Sequence, residues 1–317
     1  MMHHIALLLV LSCAVARAAT AQNYIARADS LFRSGRVFAA ETLYYYAARR
    51  QPRDPAARLA LGRYLAARGA LKIGAVLMEE ARYFGGDARA VALALAPVYA
   101  RLGDYSSLAA LPGSPLNTAE RERAEWLGAH APSVSGPDTA FVPLLSGGDG
   151  VGAIAIVIRG DSVLASIDPR VSGLVLDSSW AGKSGVRHFA STFEADPSAF
   201  AGVTAELQIG AMNILNTPTR FDALAGPDRA LIGLDLIGRL APTFDPGRGT
   251  ILLRRDGRVP DSVAGRSVPT LAYPTGLWII AQRELWPVGS AHTQALLNGA
   301  PWTLDARDGE ILLHGGR

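Results

Sequence analysis

The sequence is poor in cysteine and in long hydrophobic runs, and its net charge is small. Cys13 is the only cysteine, so an internal disulfide, a cysteine-based zinc site and an iron–sulfur cluster are excluded. The 31 Lys and Arg residues are nearly balanced by 28 Asp and Glu residues, and they are scattered, which argues against a nucleic-acid partner. No stretch reaches the ~18 consecutive apolar residues that a transmembrane helix needs, so no membrane span is expected.

The rest of the composition is that of an ordinary globular protein. Hydrophobic residues make up 49% and charged residues 19% of the 317 residues, which argues against a largely disordered chain. The length predicts about two domains. The order of patterns along the chain predicts a multi-domain α + β architecture, with helical repeats first and an all-β domain after them.

The first 21 residues have the pattern of a secretory signal peptide. A short apolar run at residues 5–11 is followed by two A-x-A patterns, at residues 16–18 and 19–21, as signal cleavage requires. We therefore expect an exported protein, periplasmic or secreted, in which residues 1–21 are removed. One alternative stays open: the residues before Cys13 resemble a lipobox, in which Cys13 would carry a lipid anchor.

Residues 22–130 are predicted to form a helical repeat array. Gly35, Gly69 and Gly103 are spaced by 34 residues, and each lies between two alanine- and leucine-rich segments of helical periodicity. A helix–turn–helix unit with this period resembles the tetratricopeptide repeat. That resemblance implies that the array binds a peptide or a protein partner.

Two interpretations of the array stay open from the sequence. It either holds a partner on a concave surface or serves as a spacer that packs against the next domain. The tyrosine run Tyr44–Tyr46 either lines such a groove or contributes rings to the core between helices. Residues 117–130 are predicted to be a closing helix, with the N-cap at one of its first two residues.

The chain changes character after the helices. Residues 131–145, rich in proline, serine and glycine, are predicted to be a linker. Residues 146–256 show β-type alternation, which predicts an all-β domain built from hairpins. Predicted strands cover residues 153–158, 162–167, 173–176, 203–209, 212–215, 243–245 and 250–253, and an apolar run at residues 230–240 predicts one short helix.

The order of these pieces resembles the retropepsin-like aspartic proteases, especially the bacterial members fused to other modules. A hairpin leads to a strand that ends in Asp168, and the short run Gly173–Leu176 follows. A G-x-D helix start contains Asp235, and a closing D-P-x-R-G hairpin turn spans residues 245–249. The resemblance implies an acid-protease barrel in which Asp168 is the catalytic aspartate and Asp235 is structural.

The active loop departs from the D-[TS]-G-[AS] pattern of that family, because Pro169 and Arg170 follow Asp168. In the family, two aspartates share one proton and activate water, the hydroxyl ties the two loops together, and the glycine allows a tight turn. Pro169 has neither a hydroxyl nor an N–H, and Arg170 favours the ionised carboxylate. Asp168 is thus either a catalytic residue in an altered loop or part of a pseudoprotease, and the altered loop favours the second.

Catalysis would also need a second aspartate. The resemblance implies that a homodimer through the β domain supplies it. Another source is Asp305, because residues 303–313 align without gaps on residues 243–253, with six of eleven positions identical. A repeated β-hairpin explains this alignment better than a second lobe, since residues 257–317 are too few, and we expect them to form a small packed β extension.

No cofactor and no metal are expected. The histidines beyond the signal segment stand apart without metal-ligand spacing, and they are His130, His188, His292 and His314. No glycine-rich phosphate loop of the G-x-x-x-x-G-K-[ST] type occurs. Two functions stay open: an aspartic endopeptidase (a hydrolase) whose repeats recruit protein substrates, or a non-enzymatic scaffold that binds peptide through the repeats and the β-domain cleft.

Overall fold

A computed structural model describes residues 22–145, 151–180, 185–189, 201–224, 229–273, 276–281, 284–297 and 300–315. The predicted signal peptide, with Cys13, lies outside the described residues. Among the helices of the described part, none combines the length and the apolar character needed to cross a membrane. The chain has helices in its N-terminal part and a β region with a closed barrel in its C-terminal part, which is an α + β arrangement.

Short turns join the helices of the N-terminal part. The helices are α1 (residues 22–33), α2 (Val37–Arg50), α3 (Pro55–Ala67), α4 (Leu71–Tyr83), α5 (Ala88–Leu102), α6 (Tyr105–Ala109) and α7 (Thr118–Ala129). Gly35, Gly69 and Gly103 stand in the turns after α1, α3 and α5, and their φ angles of 76°, 93° and 73° are left-handed, a region that glycine enters at no steric cost. The helix α7 begins with a capping box of Asn117 and Glu120, which confirms the predicted N-cap.

Neighbouring helices are tied together by tyrosine hydroxyls that donate to carboxylates. The pairs are Tyr44 with Asp29, Tyr64 with Glu41 and Tyr99 with Glu79. Burial and these hydrogen bonds raise the pKa of all three tyrosines above the ordinary value. Tyr44 therefore belongs to the core between helices, whereas Tyr45 and Tyr46 beside it are about half exposed, at 48% and 49%.

The C-terminal part consists mainly of strands. In chain order its elements are β1 (Ser133–Ser135), β2 (Thr139–Pro143), β3 (Gly152–Ile158), β4 (Asp161–Asp168), β5 (Leu174–Asp177), β6 (Val186–Phe189), β7 (Ala201–Ile209), β8 (Met212–Asp222), β9 (Ala230–Gly233), α8 (Leu234–Ile237), β10 (Thr243–Asp245), β11 (Thr250–Arg254), β12 (Arg266–Tyr273), β13 (Gly276–Ala281), β14 (Glu284–Pro287), α9 (Ala291–Leu297), β15 (Trp302–Asp305) and β16 (Glu310–Leu313).

The first sheet closes on itself. Six strands pair in the order β8, β5, β9, β4, β3 and β7. The last of them, β7, also pairs with the first, β8, which closes the ring. The strands β1 and β6 add to this ring at β8 and β7. Fully buried side chains from several strands fill it, among them Ile154, Ile167, Leu174, Phe221 and Ile232.

The second sheet joins the closing hairpin of the barrel region to the C-terminal segment. Its order is β14, β13, β12, β16, β15, β10, β11 and β2, and every pairing in it is antiparallel. The expected C-terminal β extension is therefore continuous with the hairpin of β10 and β11.

Two segments differ from the structure predicted for them. Residues 131–145, predicted to be a linker, contain β1 and β2, which pair with β8 and β11. Residues 230–233, predicted to begin a helix, form β9 instead, and only residues 234–237 are α-helical, with a 3-10 turn at residues 238–240. Since β9 is flanked by β4 and β5 in the barrel wall, its sequence is apolar on both faces, and periodicity cannot distinguish such a run from a buried helix.

The helices pack against one face of the second sheet. Leu271 on β12 and Ile280 on β13 belong to the buried cluster that includes α2, α3 and α4, whereas Ile279 belongs to the cluster of the barrel. Arginine side chains of the helical part reinforce this contact by donating to main-chain carbonyls of β12: Arg68 to Thr270 at 2.8 Å and Arg101 to Ala272 at 3.4 Å. Arg239, in the 3-10 turn after α8, donates to the carbonyl of Ala100 on α5 at 2.9 Å. The strands β12 and β13 are thus covered on both faces.

Candidate functional site

The loop that follows Asp168 crosses the end of a neighbouring strand. Asp168 ends β4, and residues 169–173 lead into β5, while β9 lies between these strands, parallel to β4 and antiparallel to β5. Gly233 ends β9 at this crossing, and a Cβ there would lie 2.5 Å from the carbonyl oxygen of Val171 and 3.0 Å from the nitrogen of Gly173. The close approach of the two main chains explains why a glycine stands here.

Asp235 anchors the same loop from α8. The Ser172 hydroxyl donates to Oδ2 of Asp235 at 2.7 Å, and the Gly173 N–H donates to Oδ1 at 2.9 Å. Asp235 therefore holds the loop in place, in agreement with the structural role that the family resemblance implies. Sequence reasoning missed Ser172, because only the fold brings its hydroxyl to a carboxylate more than sixty positions away in the chain.

Replacing Asp235 by alanine is expected to lower the free energy of unfolding by about 1–2 kcal/mol, because Gly173 would lose the acceptor of its N–H. Asp235→Asn is the matched control, since its side-chain oxygen can still accept that hydrogen bond, and we expect a smaller loss for it. Urea denaturation followed by tryptophan fluorescence measures both changes. Equal losses in the two variants would contradict the anchoring role.

The carboxylate of Asp168 is paired with Arg170 of its own loop. Asp168 is 7% exposed. The Nε atom of Arg170 lies 2.9 Å from Oδ1 and 3.2 Å from Oδ2, its Nη2 atom lies 2.7 Å from Oδ2, and its main-chain nitrogen lies 2.8 Å from Oδ1. This is a bidentate pair, which adds geometric specificity to a charge-assisted hydrogen bond. Since Pro169 has no N–H, Arg170 is the residue that supplies both the main-chain and the side-chain donors.

The pairing decides the protonation state of Asp168. Burial alone would raise the pKa of its carboxyl group, but the side-chain hydrogen bonds, the main-chain hydrogen bond and the charge of Arg170 together hold that pKa below its ordinary value. Hydrogen bonds and a positive charge both stabilise the ionised form. Asp168 is therefore ionised at neutral and mildly acidic pH, and Arg170 has the electrostatic effect expected from its place in the sequence.

The C-terminal segment reaches this loop from outside the barrel. Gly276, the first residue of β13, has a φ of 143°, and a Cβ there would lie 3.4 Å from the Pro169 carbonyl oxygen and 4.0 Å from Arg170 Cα. The main chain of the β12–β13 hairpin thus comes close, at Gly276, to the loop that carries Asp168.

Asp305, the other aspartate considered from the sequence, has a different position. Its Oδ1 atom accepts hydrogen bonds from the main-chain nitrogens of Arg307 and Asp308, at 3.0 and 3.1 Å. It caps the turn between β15 and β16, and this turn meets Arg68 of the helical part at Gly309. The structure therefore places Asp168 and Asp305 in separate turns, each with its own partners.

The histidines singled out from the sequence make structural contacts. These are His130 stacked on Trp126, His188 stacked on Phe221, His292 tilted against Trp286, and His314 hydrogen-bonded to Thr303. Within the part of the chain that the structure describes, no group of three or more His, Cys, Asp or Glu side chains is placed to hold a metal ion.

The likeness to known proteins is low. No protein-family model matches this chain, and a search of curated proteins finds no match either. Among solved structures, this chain is similar to the crystal structure of a retropepsin-like aspartic protease from Rickettsia conorii, and the two sequences are 18% identical. The match covers 39% of this chain and 91% of that chain, with a TM-score of 0.27.

Proposed function

We propose that this protein is a non-enzymatic relative of the retropepsin-like aspartic proteases that binds a peptide or a protein partner. The observation that carries the proposal is the bidentate pairing of Asp168 with Arg170. Aspartic-protease chemistry depends on two carboxylates that share one proton. A guanidinium on one of them favours the ionised form and so opposes the shared-proton state.

The hydrogen bonds at Asp168 also oppose its use as a general base. An ionised carboxylate offers about four acceptor sites on its two oxygens. Arg170 makes four contacts with these oxygens, two on each. A general base must accept a proton from a water molecule within hydrogen-bonding reach, and a carboxylate engaged in this way has little capacity left for that water.

Exposed apolar side chains on the helical array support a binding role. Ile73, Val76 and Tyr83 of α4 are 60%, 59% and 85% exposed. Their spacing of three and seven residues puts them along one face of the helix. We propose this face of α4 as a contact surface for the partner, in keeping with the resemblance to tetratricopeptide repeats.

The proposal places the protein outside the cytoplasm. The basis for this location is the signal-peptide pattern of residues 1–21. The protein is either released by cleavage after Ala21 or anchored by a lipid on Cys13.

One experiment separates the binding protein from the protease. The protein and its Asp168→Asn variant are incubated with a random peptide library from pH 3 to pH 7, and the library is analysed for cleaved and for retained peptides. We expect no cleavage that depends on Asp168, and a set of retained peptides that is the same for both proteins. Cleavage that disappears in Asp168→Asn would overturn the proposal in favour of an aspartic endopeptidase.

Two further variants locate the binding surface in the same experiment. The double substitution Ile73→Asp/Val76→Asp is expected to abolish retention, because it puts two charges on the exposed face of α4. Lys72→Asp, beside these positions and also exposed, is the matched control and is expected to retain the peptides. Retention by the double variant would show that the partner binds elsewhere.

A further inference from the structure

The hairpin of β10 and β11 and the hairpin of β15 and β16 are related by a local two-fold axis. The two hairpins have the same internal register, because Thr243 faces Leu252 and its equivalent Thr303 faces Leu312. They also pair with each other through antiparallel strands, in which Thr243 faces Thr303. When equivalent residues face each other across antiparallel strands, a two-fold axis passes between them.

The same axis relates the strands that lie outside the hairpins. On β2, Val142 faces Ile251 of β11, and on β12, Val268 faces Ile311 of β16. Ile251 and Ile311 are equivalent in the alignment of the two hairpins, and a proline follows the valine in both outer strands. Three strands, β2, β11 and β10, are thus related to three others, β12, β16 and β15.

Polar side chains follow this relation as well. The Oγ1 atoms of Thr243 and Thr303 lie 2.7 Å apart. Nη1 of Arg254 donates to Thr243 at 2.9 Å, and Nε2 of His314 lies 2.7 Å from Thr303. Arg254 and His314 occupy equivalent positions after the two hairpins, so the chain of contacts from Arg254 to His314 is itself nearly symmetric.

We infer that residues 266–313 take, within the same chain, the place that a second copy would occupy across β10. In a two-fold homodimer built on that edge, Thr243 would face Thr243 of the second copy, whereas here Thr303 faces it. The edge of β10 is paired within the chain, so a second copy cannot pair there, and we expect the protein to be a monomer. This replaces the homodimer that the family resemblance implies.

Residues 266–313 supply the strand that pairs with β10, but they supply no aspartate equivalent to Asp168. Residues 274–301 join β12 to β15, where residues 144–242 join β2 to β10 in the first half, and residues 274–301 contain no aspartate. The hairpin of β12 and β13 comes close to the loop of Asp168 at Gly276. The inference deepens the proposed function, on which it rests, because each molecule then has one Asp168 and no second copy of it.

A disulfide test identifies which strand faces β10. Three variants are made in a Cys13→Ser background, which contains no cysteine: Thr243→Cys, Thr303→Cys and the double variant. A disulfide requires Cβ atoms about 3.5–4.5 Å apart, and residues facing each other across antiparallel strands, with Cβ atoms about 4.5–5.5 Å apart, are close to that range. After oxidation we expect the double variant to lose both thiols and to migrate as a monomer on a non-reducing gel, while each single variant stays monomeric with its thiol free.

Two results of the disulfide test would overturn the inference. A covalent dimer of Thr243→Cys alone would show that β10 faces β10 of a second copy, and a folded double variant that keeps both thiols would show that Thr243 and Thr303 are not neighbours. Sedimentation equilibrium of the unsubstituted protein measures the oligomeric state independently. We expect the mass of one chain, and the mass of two chains would overturn the inference. A monomer that cleaves peptides would overturn only the proposed function, and a dimer that does not cleave would overturn only this inference.

Discussion

Arg170→Ala is expected to lower the free energy of unfolding by about 2 kcal/mol at pH 7, because it leaves a buried carboxylate without its charged donor. Removing one member of a fully buried ion pair costs about 3–5 kcal/mol. We expect less here, because the side chain of Arg170 is 66% exposed and solvent screens part of the interaction. Urea denaturation at fixed pH measures the change.

The pH dependence of this loss follows from the pKa of Asp168. A carboxyl group whose pKa is lowered on folding stabilises the protein above its unfolded pKa of about 3.9, and the stabilisation is lost as the pH falls through the folded pKa. Without Arg170, burial would raise the pKa of Asp168, so the variant would regain stability as its carboxyl group becomes protonated. The difference between the two proteins should be largest near neutral pH and shrink towards pH 3.

Two controls test the cause. Arg248 pairs with Asp245 at 3.6 Å and is 83% exposed, so Arg248→Ala should cost less than about 0.5 kcal/mol. In an Asp168→Asn background, Arg170→Ala should cost much less than in the native chain, because no buried charge remains. A loss that is the same at pH 3 and pH 7, or the same in the Asp168→Asn background, would contradict an ion pair as its cause.

Gly309→Ala is expected to have the largest effect, lowering the free energy of unfolding by about 3 kcal/mol or more. Gly309 has a φ of 65°, and a Cβ there would lie 2.0 Å from the carbonyl oxygen of Arg68. Main-chain atoms cannot give way without moving the turn away from α3. That movement would also break the hydrogen bond that Arg68 donates to the carbonyl of Gly309. Thermal unfolding followed by circular dichroism measures the loss.

Gly103→Ala is the matched control for the backbone conformation. Gly103 has a similar φ of 73°, but no atom lies within 4 Å of the position that a Cβ would take. It should therefore cost only the left-handed strain of about 1–2 kcal/mol. If Gly309→Ala costs no more than Gly103→Ala, the contact between the turn and the helices does not contribute to stability.

The sequence predicts the parts of the fold that depend on neighbours in the chain. The glycines at Gly35, Gly69 and Gly103 mark helix turns because a left-handed turn is a local requirement. The hairpins before Asp168 and around Asp245 are visible because strand alternation and turn residues are local as well. The electrostatic effect of Arg170 could be foreseen for the same reason, since it lies two positions from Asp168.

The features that the sequence does not reveal depend on contacts between distant segments. The apolar run that forms β9 wrongly predicts the start of a helix. Its burial between β4 and β5 is set by the topology, and an apolar run alone does not distinguish a buried strand from a buried helix. Ser172 gains its role only from Asp235, and Gly309 only from Arg68. The alignment of the two hairpins is visible in the sequence, but its meaning comes from the register in which Thr243 faces Thr303.

The burial of β12 between the helices and the barrel constrains the order in which the chain can fold. Arg68 and Arg101 donate to carbonyls of β12 that lie 202 and 171 positions further along the chain. Contacts between such distant positions form slowly, because closing a long loop costs entropy before the contact repays it. During synthesis the helices are made before the strands that cover them. One flank of the helices therefore stays uncovered until β12 and β13 have been made, so the helical part cannot reach its native packing before these strands leave the ribosome.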